Sequence, residues 1–100
     1  MNDPVNSPSH YAGSCSIECI DALEMVLGGQ GLFFFCYGNA FKYIWRHKHK
    51  NNAKEDLSKA EWYYWKCKEL LKFFDDSDKA YVEDQLIALF DILDTYQKEE

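Results

Sequence analysis

Several things are missing from this 100-residue chain, and each absence removes a class of protein. No stretch alternates apolar and polar residues for long, and no Asn-Gly or Asp-Gly pair marks a hairpin, so a β-fold is not expected. No G-x-x-x-x-G-K-[ST] loop and no G-x-G-x-x-G turn is present, so the usual strand–loop–helix phosphate cradles are excluded. The Gly28, Gly29, Gly31 cluster has no strand before it and reads as a helix stop. No window reaches the roughly 20 apolar residues of a membrane span; the richest run, Gly31 to Tyr37, is too short. Met1 to Ser16 is polar and turn-rich and does not read as a signal peptide. A soluble, cytoplasmic protein with no membrane partner is therefore expected. Cys15, Cys19, Cys36 and Cys67 include no C-x-x-C pair and form no disulfide framework, which points to reduced thiols. Zinc held by Cys15, Cys19 and one of His10, His47 or His49 is the weaker reading of those residues.

What is present is aromatic bulk and an uneven charge distribution. Seven Phe, seven Tyr and three Trp supply a core for a single small domain, with some left for a subunit interface. The net charge is −6, yet Lys42, Arg46, Lys48, Lys50 and Lys54 follow one another with no acid between them. A cationic patch on an acidic body suits a small anion better than duplex nucleic acid, which would meet the repulsive surround.

Periodicity predicts an all-α fold: a compact bundle of about four helices behind an irregular N-terminal arm. Residues 1–15 hold both prolines, Pro4 and Pro8, and form the arm. A helical core follows over 16–74. Its first helix, about 16–27, is capped by Ser16 and carries Ile17, Ile20, Leu23 and Leu27 at helical spacing before Gly28 and Gly29 stop it. The second, about 33–47, places Asn39, Lys42, Tyr43 and Arg46 on one stripe and Tyr37, Phe41, Ile44 and Trp45 on an apolar back. The third, about 54–74, has a core stripe of Leu57, Ala60, Tyr64, Cys67 and Leu71, with Asp56, Lys59 and Tyr63 along one edge. The fourth, about 79–96 within a C-terminal segment 75–100, has Asp78 as its N-cap. It repeats Val82, Leu86, Leu89, Leu93 and Tyr96 at heptad-like spacing. With Ile87 and Phe90 as a second flank, this last helix is expected to carry a homo-oligomer contact.

Lys42 and Arg46 sit one turn apart and can grip one anionic group together, Arg as a planar fork and Lys as a mobile point charge. Asn39 adds a hydrogen-bonding group and Tyr43 a surface on which a base can stack. Glu18 and Asp21, with Glu24 continuing the row, suit salt bridges or ribose contacts better than a metal. Asp56 and Lys59 either pair with each other or complete a site against the second helix, and His10 and Tyr11 could fold over it as a lid.

The segments S-P-S-H-Y (7–11), I-E-C-I-D (17–21), G-N-A-F-K-Y-I-W-R (38–46) and E-D-L-S-K-A-E-W-Y-Y (55–64) resemble a small phage family. That family is catalogued as a domain of unknown function and often labelled phage nucleotide kinase. The resemblance covers about residues 5–70. It implies a phage origin, the cytoplasm of an infected host, and a nucleotide ligand. It marks His10, Tyr11, Glu18, Asp21, Gly38, Asn39, Lys42, Tyr43, Arg46, Asp56, Lys59 and Tyr63 as positions to watch. A kinase must bring ATP, Mg²⁺ and an acceptor together. Binding without turnover asks only for an anion grip, a stacking surface and a lid. The leading expectation is thus a cofactor-free sponge for a phosphate-bearing nucleotide, a host immune signal among the candidates. The alternatives are a kinase acting on deoxynucleoside monophosphates with ATP and Mg²⁺, and a protein-binding adaptor using the acidic last helix.

Overall fold

The computed structural model describes residues 19–49 and 52–99, and among them it is all-α, with three helices and no strand. Helix α1 spans Cys19–Arg46 and α2 spans Ala53–Leu70. A 3₁₀ turn, Leu71–Phe73, leads to α3, Asp76–Glu99. The N-terminal arm, with Ser16 and Ile17, lies outside the described residues.

The helix stop expected at the glycines falls at Gly28, which is non-helical and divides Cys19–Arg46 into two helical stretches that meet at a kink. Gly28 has φ 77° and ψ 170°, a region essentially closed to residues with a Cβ. The glycines therefore redirect the chain without releasing it. The bend is held in place: a Cβ on Gly29 would come within 2.2 Å of the Phe73 ring. One residue on, the Gln30 side-chain amide donates to the Phe73 carbonyl at 2.8 Å. By length and composition α1 would suffice to cross a membrane. Here Leu32, Phe33, Cys36, Ala40 and Ile44 of this helix are buried in the protein's own core.

A short link folds α2 back along α1, as the contacts show: Arg46 meets Asp56, Tyr43 meets Tyr63, and Cys67 Sγ donates to the Phe33 carbonyl. The expected α2 stripe is the observed one, with Leu57, Ala60, Tyr64, Cys67 and Leu71 all buried. Helix α3 returns along α2 in turn: Gln97 donates to Glu61, Tyr64 packs on Phe90, and the Tyr37 hydroxyl of α1 donates to the Gln85 carbonyl. Its start differs by three residues from the reading above. The Asp75 carboxylate, not that of Asp78, accepts from the backbone N–H of Asp78 at 2.9 Å and so caps the helix.

Two apolar assignments change. The α3 seam of Val82, Leu86, Leu89 and Leu93 is buried within the protomer, with Tyr96 packed against the same core. Each such buried side chain contributes about 1.5–3 kcal/mol, while the flank of Ile87 and Phe90 stays 60% and 38% exposed. On α1 the reverse holds: Phe41 and Trp45, placed on the buried back by the wheel, are 47% and 63% exposed. The true inner face is Phe33, Cys36, Ala40, Ile44 and His47.

Candidate functional site

The α1–α2 hairpin brings the two halves of the predicted site together. Lys42, Tyr43 and Arg46 come from the last turns of α1, and Asp56, Lys59 and Tyr63 from the first turns of α2. The Tyr43 and Tyr63 rings are parallel to within 10°, with centroids 6.0 Å apart. Three cations gather about Tyr43: Lys42 Nζ at 4.6 Å from the ring centroid, Lys59 Nζ at 5.3 Å and the Arg46 guanidinium carbon at 5.5 Å. The ring's negative face offsets part of their mutual repulsion. One carboxylate stands against the last of them. Asp56 is 2% exposed, and its Oδ2 lies 3.7 Å from Arg46 Nε. That distance makes an ion pair and not a hydrogen bond. Among the described residues Oδ2 has no hydrogen-bond donor at all. With Nε toward Asp56, the Arg46 side chain is 43% exposed.

Asn39 stands one turn before Tyr43, half-buried, and its side-chain amide donates to the Phe35 carbonyl at 3.0 Å in its own helix. Asp21 is exposed in the first turn of α1. Among the described residues no ion pair joins it to Lys42, Arg46 or Lys59. His10, Tyr11 and Glu18 lie outside the described residues, so the lid and part of the acidic row do too.

His47 has a packing role. It is buried, its Nδ1 donates to the Ile44 carbonyl, and its ring lies 4.7 Å from that of Tyr96. Lys48 covers Tyr96 from outside at 4.4 Å. The helical spacing Ile44–His47 was the signal for this, hidden by the polar residue type. Among the described residues no three His, Cys, Asp or Glu side chains cluster as metal ligands. Two open cavities, of about 380 and 350 Å³, lie against Lys68 and Glu83 and against Lys54 and Gln97, and neither is lined by the tyrosine pair. Among the described residues the cluster lies between the two helices of the hairpin.

Fold and site together define a small all-α protein with a cation-rich, tyrosine-paired surface on a helical hairpin. The chain belongs to a protein family of unknown function, DUF3310, whose model matches residues 5–64. The match ends one residue beyond Tyr63, so it includes every candidate site residue and excludes α3. No curated protein and no solved structure matches the chain.

Proposed function

We propose that this protein binds a phosphate-bearing nucleotide on the Tyr43–Tyr63 surface and holds it unchanged, as a phage-encoded sponge in the infected cell. The observation that carries this reading is the convergence of three cations on one stacked tyrosine pair with a single, buried acid. Lys42, Lys59 and Arg46 repel one another, and an anion set among them relieves that repulsion. The guanidinium edge suits phosphate oxygens. The tyrosines offer a base the stacking worth about 1–3 kcal/mol in other nucleotide sites.

A second reading, a nucleotide kinase using ATP and Mg²⁺, has Asp56 in its favour. A carboxylate oxygen with no donor among the described residues, beside Arg46, could take a substrate hydroxyl proton or help hold a metal ion. Self-association accompanies either reading, since a hairpin surface gains walls when a second copy borders it.

Thermal unfolding with a panel of mononucleotides and cyclic nucleotides tests the binding step. At least one is expected to raise the midpoint of the wild-type chain, and none that of Arg46→Ala. Equal shifts in both proteins would place the ligand elsewhere.

A further inference from the structure

Gly38 meets no side chain among the described residues. It is helical and exposed, and a Cβ built on it would meet nothing within 4 Å. Glycine inside a helix costs stability relative to alanine, so a position that could take alanine freely among the described residues calls for a reason beyond their packing. Its neighbours supply one. At 100° per residue, Phe34, Phe35, Phe41 and Trp45 all fall within about 60° of Gly38. They are 53%, 40%, 47% and 63% exposed.

We propose that this face of α1 packs against the same face of a second copy, antiparallel, with the two Gly38 residues at the crossing. The self-fit is the argument. Centred on Gly38, an antiparallel pair sets Trp45 against Gly31 of the partner subunit, the bulkiest side chain against the smallest. Phe41 meets Phe35 of the partner subunit, and the Lys42 stem meets Phe34 of the partner subunit while its ammonium stays toward Tyr43. Arg46 faces Gln30 of the partner subunit, an uncharged residue. A parallel pair would instead set Trp45 on Trp45 and Lys42 on Lys42, bulk on bulk and like charge on like.

The rings supply most of the area a small specific interface needs. The four exposed aromatics leave on the order of 400 Å² of apolar surface on each copy, at roughly 150–250 Å² per side chain. Two copies hide about 800 Å² through these rings alone, and flanking side chains carry that toward the ~1,000 Å² of a specific interface. Gly38 is what lets the backbones approach closely enough for the rings to interdigitate.

Sedimentation and cross-linking test this without reference to any nucleotide. The wild-type chain is expected at twice the 11.8 kDa protomer mass. Trp45→Glu is expected at the protomer mass with its helical circular dichroism unchanged, and Ile87→Glu on the exposed side of α3 at the dimer mass. In a Cys15→Ser, Cys19→Ser background, Gly38→Cys is expected to form a covalent dimer on oxidation and Ala88→Cys none. A monomeric wild type would overturn the proposal. So would a dimer that survives Trp45→Glu, or a monomer that binds anionic phospholipid vesicles through this face.

Discussion

Arg46 carries the largest share of the proposed binding surface, because it is the one cation oriented from behind by a buried carboxylate. Arg46→Ala and Lys42→Ala are each expected to weaken nucleotide binding by about 1.5–3 kcal/mol, the scale of hydrogen bonds to charged groups. Tyr63→Ala is expected to cost about 1–3 kcal/mol through lost stacking. Calorimetric titration checks all three, and unchanged affinity in the two cation variants would move the site. The thiols separate by burial. Cys36 and Cys67 are fully buried, whereas Cys19 is partly exposed. Alkylation of the native protein is expected at Cys19 and, at Cys36 and Cys67, only after unfolding. Burial pushes the Cys36 thiol up from 9.0 to about 12 and moves Cys67 in the same direction. The folded chain thus keeps protons that the unfolded chain releases. Their contribution to stability is full below pH 9 and fades as pH climbs toward 12, so the urea midpoint is expected to fall across that alkaline window.

At the scale of elements, the bend in α1 depends on two glycines for different reasons. Gly28→Ala meets a forbidden backbone conformation, at roughly 1–3 kcal/mol. Gly29→Ala meets the Phe73 ring, at roughly 1–3 kcal/mol of overpacking. Urea denaturation of both variants checks this, and an unperturbed midpoint would show that the bend is not needed. Helix type and helix faces were legible in the sequence for α2 and α3, whose buried positions recur with clean spacing. The α1 faces were not. Phe33, Phe34 and Phe35 are consecutive and equally apolar, so no periodicity tells which one points inward. Phe33 is buried because it meets Phe74 and the Cys67 region of other elements, contacts that no local pattern encodes. The α1 half of the site, Lys42, Tyr43 and Arg46, was legible because these residues share a helical stripe. That Lys59 and Tyr63 close on the Tyr43 ring, and Asp56 on Arg46, follows from the hairpin, which brings positions 16, 20 and 10 apart together.

For the whole molecule, core packing and the candidate surface are divided between helices. The seam of α3 is spent on the core: Leu89→Ala is expected to cost about 2–5 kcal/mol of stability without changing the affinity of any nucleotide that binds. The hairpin of α1 and α2 holds the surface on which the functional account rests. The most direct measurement is capture and release. The purified protein is incubated with mononucleotides and cyclic signalling nucleotides, with and without ATP and Mg²⁺, freed of unbound ligand and denatured. Both fractions are then analysed by chromatography and mass. The account predicts one species retained by the wild-type chain, absent from Arg46→Ala, and released chemically intact. A monophosphate returned as a diphosphate with matching ADP, or no nucleotide retained at all, would contradict it.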